Sequence, residues 1–352
     1  MKKYINLEDM TNTNCSTVLN IIQKSGSISR KGITELTGLS WGGMTKIVNK
    51  LLENDYIIEE KQAPSSKSGR IPSYISVNNQ KNFVIGLDIN KTGFKAVVMN
   101  LSGEILRKYS SPAYLKNKAE TLTEIISFTE NIFSDFEKGK IIAIGVAMQG
   151  IVDSKNGISV KFPDIADWRS VPIKDILKER FGVNVFVEHD PDCLLYPHIE
   201  NKNENIILLR IDKSIGMAVS VKGKILKDNG ILEIAHNIAV LNGKKCSCGL
   251  YGCIEAYVSP CLEKQTPDKN AVDEFIPVLS VTIKNLTNIF NAEKVILTGD
   301  LIKHGELFKD ILFDNLKGLK CLSEVVFSSD EDFAVLGASL IAIHKSINSI
   351  TL

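Results

Sequence analysis

The sequence predicts an α/β protein in which a small N-terminal winged helix-turn-helix precedes a much larger α/β region. Two short helices joined by a glycine-containing turn, followed by two strand-like runs, lie within the stretch 1–80. Beyond them, apolar strand-like runs alternate with helical stretches, which is typical of an α/β architecture. A length of 352 residues exceeds what one core ordinarily accommodates and indicates two or three domains.

Three short helices are predicted within the stretch 1–55. Ser29 and Ser40 are the predicted N-caps of the second and third helices, and Gly38 lies in the turn between them. Each helix is indicated by an apolar stripe at helical spacing. The stripe residues are Val18, Leu19 and Ile22, then Ile33 and Leu36, then Met44, Ile47, Val48, Leu51 and Leu52.

A hairpin follows the helices and forms the predicted wing. Its strands are residues 56–60 and 74–77, and the loop at 61–70 is polar and carries basic residues. A recognition helix places its first turn in the major groove, and basic wing residues suit phosphates. The expected contacts with operator DNA are Trp41, Gly42, Gly43, Thr45 and Lys46 in the helix, and Lys61, Lys67 and Arg70 in the wing. The alternative is a small helical domain used for protein contacts.

Strand-like runs then recur along the rest of the chain. A helical stretch is predicted at about 119–136, and a turn at 100–104. The predicted strands cover residues 83–88, 94–99, 141–147, 183–188, 206–211 and 294–297.

The composition is that of a globular protein, with 44% hydrophobic and 24% charged residues. No apolar run approaches the roughly 20 residues that a membrane span needs, and no signal-peptide core follows the N-terminal segment, so a cytoplasmic location is expected. The net charge is +1, but the stretch 1–80 holds ten Lys and Arg against seven Asp and Glu. This mild asymmetry permits a DNA-binding head without demanding one.

One His and three Cys form a candidate metal site in a glycine-rich segment. The residues are His236, Cys246, Cys248 and Cys253. One imidazole and three thiolates complete a tetrahedral set for zinc, and four protein ligands leave no open position, so a structural zinc is predicted. The alternative is four unrelated residues in a glycine-rich loop.

This segment resembles the signature of the ROK family of repressors and sugar kinases. The matching runs are Gly-Ile-Leu-Glu-Ile-Ala-His at 230–236 and Cys-x-Cys-Gly-x-x-Gly-Cys-Ile-Glu-Ala at 246–256. Further similarity lies at 162–168, at Glu188-His189-Asp190 and at 336–338. The winged head ahead of Gly-Arg-Ile-Pro at 69–72 resembles the repressor branch, typified by NagC, Mlc and the xylose repressors.

The resemblance implies an actin-like, ribonuclease-H-like ATPase-type fold of two α/β lobes with a sugar between them. The implied domains are a head at 1–80, a first lobe at 81–190 to which 331–352 returns, and a second lobe at 191–330 with the zinc site and a dimerisation surface. The implied sugar-binding residues are Asp190, Glu233, His236, Glu255, His189, Gly150 and Asp164. Without the resemblance, the residues favour Asp190 as a solvated loop carboxylate and Glu255 as a charge at a helix N-terminus.

Three loops depart from the pattern of the family's kinases, whose glycines bring backbone amides close to phosphate. The first loop has Asp-Ile-Asn-Lys-Thr at 88–92 where a kinase has Asp-x-Gly-Gly-Thr. The second, at 211–217, has one glycine, and the third is Thr-Gly-Asp at 298–300 instead of a Gly-Gly pair. These departures favour a regulator without catalytic residues over a kinase.

The sequence thus predicts a sugar-responsive transcriptional repressor that binds operator DNA as a homodimer or dimer of dimers and responds to a sugar or sugar phosphate. One alternative is an ATP-dependent sugar kinase with an accessory DNA-binding head. Another is a regulator controlled by a protein partner, with an empty sugar site.

Overall fold

The structure is a computed structural model of the 352-residue chain. It describes residues 7–61, 73–113, 115–199, 203–227, 232–262, 267–318, 322–329 and 332–350.

The N-terminal domain has the predicted winged helix-turn-helix. Its strands form one antiparallel sheet in the order β1-β3-β2. The elements are α1 (Leu7–Ser25), β1 (Ser27–Ser29), α2 (Arg30–Thr37), α3 (Trp41–Glu53), β2 (Ile57–Lys61) and β3 (Ser73–Val77). The short strand β1 has no counterpart in the prediction, and the two wing strands lie within a residue of their predicted bounds.

The predicted caps hold the helix-turn-helix in place. The Ser29 hydroxyl accepts from the Gly32 amide at 3.1 Å, and the Ser40 hydroxyl accepts from the Gly43 amide at 3.2 Å. Gly38 ends α2 at a φ of +68°, a left-handed conformation that glycine adopts at little cost.

The apolar stripes of the head are mostly buried, but two predicted members are not. Leu36 is 64% exposed and Leu52 is only half-buried. The short helix α2 buries a single side chain, Ile33, so Leu36 in its last turn stays at the surface.

The first large sheet has five strands in the order β10-β7-β4-β5-β6, with β4 antiparallel to β5 and parallel to β7. Its strands are β4 (Phe83–Asn90), β5 (Gly93–Met99), β6 (Ile105–Pro112), β7 (Ile141–Met148) and β10 (Asn184–His189). Two helices join the strands along the chain, α4 (Lys118–Ser134) and α5 (Ile173–Phe181), and a separate two-stranded sheet consists of β8 (Ile151–Asp153) and β9 (Ile158–Lys161).

The second large sheet has the order β13-β12-β11-β14-β15. Its strands are β11 (Ile206–Ile211), β12 (Ile215–Val221), β13 (Lys224–Ile225), β14 (Lys294–Thr298) and β15 (Glu324–Phe327). The accompanying helices are α6 (Asp190–Leu195), α7 (Glu255–Val258), α8 (Lys269–Phe290) and α9 (Lys309–Leu316), with 3-10 turns at Tyr196–His198, Ser259–Leu262 and Asp300–Leu307. The last helix of the described chain is α10 (Phe333–Asn348), and its residues from 338 onward cluster with the first large sheet.

The chain divides into two compact units. The first comprises 1–149, 156–188 and 338–352, and the second comprises 150–155 and 189–337. The winged head clusters with the first unit, so the three-domain division of the sequence remains a prediction. In the second unit, α8 packs on the sheet through Phe275, Leu279 and Ile283, which belong to one large apolar core.

Two glycines bring backbone close together, one within each unit. A Cβ at Gly145 in β7 would lie 2.1 Å from the Ala338 carbonyl oxygen, in the first unit. A Cβ at Gly337 would lie 1.8 Å from the Cys193 carbonyl oxygen, in the second. Since real Cβ atoms do not approach so closely, glycine is required at both positions.

Among the described residues, no helix combines the length and the apolar character that crossing a bilayer requires.

Candidate functional site

The first two turns of α3 present a mixed surface of aromatic, glycine and basic residues. Trp41 is 58% exposed and Lys46 is also exposed. The Thr45 hydroxyl donates to the Trp41 carbonyl at 2.8 Å and is half-buried. A Cβ at Gly42 would meet no atom within 4 Å, so nothing within the described chain demands glycine there.

The predicted wing contacts are only partly located. Lys61 is the last residue of β2. Lys67 and Arg70 lie outside the described residues.

An ion pair that the sequence did not predict connects the wing to α2. Arg30 donates to both carboxylate oxygens of Glu59, at 3.0 and 2.8 Å, and the Ser73 hydroxyl donates to the same carboxylate at 2.7 Å. The hydrogen bond to Glu59 raises the pKa of Arg30 further, although partial burial opposes it. This bidentate pair joins the start of α2 to both wing strands.

The four predicted metal ligands come together in the second unit. The ligand atoms of His236, Cys246, Cys248 and Cys253 all lie within 4.8 Å of one another. His236 Nδ1 is 3.6 Å from Cys246 Sγ, and Cys248 Sγ is 3.7 Å from Cys253 Sγ. Zinc–sulfur bonds of about 2.3 Å give tetrahedron edges of about 3.7 Å, so the donor set fits a zinc ion.

The thiols of this cluster differ in acidity when no metal is bound. Burial opposes ionisation of Cys246, but hydrogen bonds from the backbone and side chain of Cys248 and from His236 outweigh it and lower the pKa of Cys246 to about 7. Burial, together with the neighbouring thiols Cys248 and Cys246, raises the pKa of Cys253 to about 12. A divalent cation would stabilise all the thiolates at once.

The local backbone folds tightly around the cluster. Gly252 has a φ of +81°, and a Cβ there would lie 1.8 Å from the Val240 carbonyl oxygen. The Gly252 amide donates to the Lys244 carbonyl at 2.8 Å. Glycine is therefore needed at this position to bring Cys253 beside the other ligands.

Asp190 is a buried charge at the start of α6. It is 4% exposed and forms an ion pair with Arg210 in β11, while His189 Nε2 lies 3.5 Å from its Oδ1. The Arg210 guanidinium also donates through Nε to Asp212 at 2.7 Å. Asp190 is therefore not a solvated loop carboxylate.

Arg210 was missed by the sequence interpretation, although a signal for it existed. It is the single charged residue in the apolar strand Ile206–Ile211. A charge within a buried strand requires a partner, so it points to nearby carboxylates.

Glu255 begins α7 and is half-buried. The Ser214 hydroxyl donates to its Oε2 at 2.8 Å. Burial raises the pKa of Glu255, and the hydrogen bond from Ser214 and the electrostatic interaction with His236 oppose that rise. Glu233 and His236 are exposed, and both interact electrostatically with Glu255.

The structure places six of the seven predicted sugar-binding residues in the second unit. The six are His189, Asp190, Glu233, His236, Glu255 and Gly150. Asp164 belongs to the first unit, where it is exposed with a φ of +62°. Gly150 has a φ of +94°, which glycine adopts readily.

Backbone amides of the loop between β4 and β5 already have acceptors. The Lys91 amide donates to Gln149 Oε1 at 3.2 Å, and the Thr92 amide donates to Asn90 Oδ1 at 3.0 Å. Asn90 Oδ1 also accepts from the Thr92 hydroxyl at 2.6 Å. These are the groups that a kinase would leave for phosphate.

In the third loop, too, a backbone amide already has an acceptor within the protein. Asp212 Oδ1 accepts from the Asp300 amide at 2.7 Å. A Cβ at Gly299 would lie 2.6 Å from the Ile211 carbonyl oxygen, so the two loops are in close contact. A carboxylate thus occupies a position where phosphate-binding amides would otherwise be available.

Comparisons with known proteins agree with this architecture. The sequence profile of the ROK family matches residues 84–267, which is more than half of the chain. The chain belongs to the ROK family. A winged helix-turn-helix DNA-binding profile matches residues 17–58 of this ROK protein.

Curated relatives include both repressors and a kinase. A xylose repressor from Bacillus subtilis is 27% identical over 319 residues, covering 81% of this chain and 82% of the relative. A glucokinase from Thermotoga maritima is 26% identical over 307 residues, covering 73% of this chain and 96% of the kinase.

A solved structure of a ROK family transcriptional regulator, a homologue of the Escherichia coli Mlc protein, superposes with a TM-score of 0.82. The match is 19% identical and covers 96% of this chain and 97% of the other. The fold shared with that regulator therefore includes the N-terminal winged helix-turn-helix as well as the ROK domain.

Proposed function

We propose that this ROK protein is a sugar-responsive DNA-binding transcriptional repressor of carbohydrate metabolism genes. The observation that carries the proposal is the combination, in one chain, of a winged helix-turn-helix, carboxylates at Asp190, Glu233 and Glu255, and loop amides that side chains of the protein already accept. A protein built in this way can bind DNA and a sugar without transferring phosphate.

The head would bind operator DNA through the start of α3. Trp41 and Lys46 project from that turn, Thr45 lies beside them, and Gly42 leaves room for close approach. A homodimer would place two such heads on a roughly palindromic site. Operator DNA as the partner would place the protein in the cytoplasm.

The effector would bind in the second unit through Asp190, His189, Glu233, His236 and Glu255. Carboxylates accept hydrogen bonds from vicinal hydroxyls, and a buried acceptor left without one disfavours analogues. Ligand binding changes DNA affinity only if it favours one conformation of the protein over another.

Zinc held by His236 and the three cysteines would be structural. Four protein ligands leave no open coordination position, and the site lies on the same loop as Glu233 and Glu255. His236 could ligate the metal through Nδ1, which faces Cys246, and present Nε2 to the sugar.

The competing function is an ATP-dependent sugar kinase with an accessory head. It is favoured by the glucokinase relative and by Asp190 at the start of α6, where a general base could act on a sugar hydroxyl. The bonded loop amides and the Arg210 ion pair oppose it.

The proposal is tested by fluorescence anisotropy with duplexes from the protein's own gene neighbourhood, with and without a panel of sugars. We expect one duplex to bind and one sugar to change its affinity. A variant with Trp41→Ala and Lys46→Ala should lose that binding, whereas Lys138→Ala, an exposed lysine in the first lobe, should retain it. Binding that the head variant leaves unchanged would contradict the proposal.

A further inference from the structure

Arg210 links two carboxylates on neighbouring segments of the second unit. One nitrogen pairs with Asp190 at the start of α6, and Nε donates to Asp212 Oδ2 at 2.7 Å. The remaining oxygen of Asp212 accepts from the Asp300 amide at 2.7 Å. A single guanidinium therefore fixes both carboxylates, since Arg presents its donors in a rigid fork.

The same segment continues toward Glu255. The Asp212 amide donates to the Ser214 carbonyl at 2.9 Å, and the Ser214 hydroxyl donates to Glu255 at 2.8 Å. Gly216 approaches the ring of Pro191, since a Cβ there would lie 3.1 Å from Cγ. Asp190, Asp212 and Glu255 thus belong to one connected group of polar contacts.

The charge of this group is negative. The described residues of these segments include four carboxylates and two cations. The carboxylates are Asp190, Asp212, Glu233 and Glu255, and the cations are Arg210, which pairs with Asp190 and Asp212, and the exposed Lys213. The nearby Asp192 is matched by Lys227, at 3.6 Å. A dianionic phosphate ester would be repelled by this excess of negative charge. The repulsion is only weakly screened by salt, because part of the site is buried.

We propose that Arg210 is a specificity-determining positioning residue: it holds Asp190 as an acceptor for sugar hydroxyls, and because its single positive charge is shared between Asp190 and Asp212, it leaves a net negative site that takes uncharged sugars and excludes their phosphate esters. The inference rests on the proposed sugar-sensing function and names the chemical class of its ligand. Arg210 does not serve as a phosphate receptor, because its guanidinium is already engaged by two carboxylates.

The experiment is isothermal titration of the full chain with matched pairs of ligands at pH 7.5. The pairs are D-xylose and xylose 5-phosphate, D-glucose and glucose 6-phosphate, and N-acetylglucosamine and its 6-phosphate. We expect at least one uncharged sugar to bind and its ester to bind at least about tenfold more weakly.

Asp212→Asn is the informative variant. It keeps an oxygen for the Asp300 amide and removes one negative charge beside Arg210. The ratio of the affinity for the uncharged sugar to that for its phosphate ester should therefore fall by about threefold or more. Asp273→Asn makes the same change on the exposed face of α8 and should leave the preference unchanged. Arg210→Met should weaken binding of the uncharged sugar by about tenfold, with Arg210→Lys intermediate.

Two results would overturn the inference while leaving sugar sensing intact. One is an ester that binds the natural chain as tightly as its parent sugar. The other is an Asp212→Asn variant, folded by circular dichroism, whose preference matches that of Asp273→Asn. Failure of every sugar and ester to bind would instead contradict the proposed function, and this inference with it.

Discussion

Cys248 Sγ lies 3.7 Å from Cys253 Sγ, which is far longer than a disulfide and equal to the edge of a zinc–thiolate tetrahedron. His236 Nδ1 and Cys246 Sγ complete the set at 3.6 Å from each other. The spacing of ligands in the sequence and their arrangement in space therefore agree on the same four residues.

Removing one thiol should remove the metal. We expect Cys246→Ser to lose about one zinc per chain by atomic absorption and to melt at a lower temperature, because metal binding to the folded loop contributes to folding free energy. Ser247→Ala, in the neighbouring exposed position, should keep both the zinc and the melting temperature. Equal zinc content in the two variants would show that Cys246 is not a ligand.

Zinc affinity should rise with pH. In the metal-free protein the pKa of Cys253 is raised to about 12 by burial and by the adjacent thiols, and that of Cys246 is about 7. At pH 7 Cys253 is protonated, so it must release a proton when the metal binds as a thiolate ligand. Titration calorimetry in buffers of different ionisation enthalpy should show about one proton or more released per zinc, and a value of zero would refute the assignment.

Lys46, the exposed basic residue near the start of α3, should matter for DNA affinity. We expect Lys46→Ala to weaken operator binding by about 1 kcal/mol and to reduce its salt dependence, because a cation near phosphate contributes through counterion release. Lys138→Ala serves as the control, with the same loss of charge outside the head. Anisotropy titrations at several salt concentrations measure both quantities, and identical slopes for all three proteins would count against a phosphate contact.

Phosphotransfer should be absent. A coupled assay of ADP release with common hexoses should give the same background rate for the natural chain and for Asp190→Asn. The reason is that the backbone amides of Lys91, Thr92 and Asp300 already donate hydrogen bonds to side chains of the protein and are not available to phosphate. Turnover that Asp190→Asn abolishes would establish the kinase alternative.

The ion pair between Glu188 in β10 and Lys345 in α10 should contribute to stability. Glu188, 1% exposed, pairs with Lys345, whose ammonium also lies 5.4 Å from the centre of the Phe186 ring. Lys345 is partly exposed, so we expect Lys345→Met to lower the free energy of unfolding by about 2 kcal/mol, below the range for fully buried pairs. Urea denaturation measures this loss, and the double variant with Glu188→Gln should recover part of it. A single variant as stable as the natural chain would contradict the prediction.

Much of the fold follows from local sequence signals. The winged head is predictable because serine caps, Gly38 and the apolar stripes act over short stretches of chain. The central strands β4, β7 and β11 are predictable because their apolar runs are nearly continuous. Strand β12 was missed because Ile215–Val221 contains a glycine and is separated from β11 by 212–214 alone, where the sequence suggested a phosphate loop.

The candidate site is predictable where residues cluster along the chain, and was missed where contacts join distant segments. The metal ligands lie between positions 236 and 253 and share one loop. The pairing of Arg210 with Asp190 joins residues 20 apart, and that of Arg30 with Glu59 joins residues 29 apart. Such pairs depend on how the strands are ordered, which no local pattern specifies.

The side chains that accept the loop amides also limit what one substitution can change. Asn90, Gln149 and Asp212 lie on three separate segments, and each accepts a different backbone amide. A glycine introduced into one loop would leave the other amides occupied. Conversion of this protein into a nucleotide-binding enzyme would therefore need coordinated changes on several segments, and engineering toward phosphotransfer must alter these acceptors together.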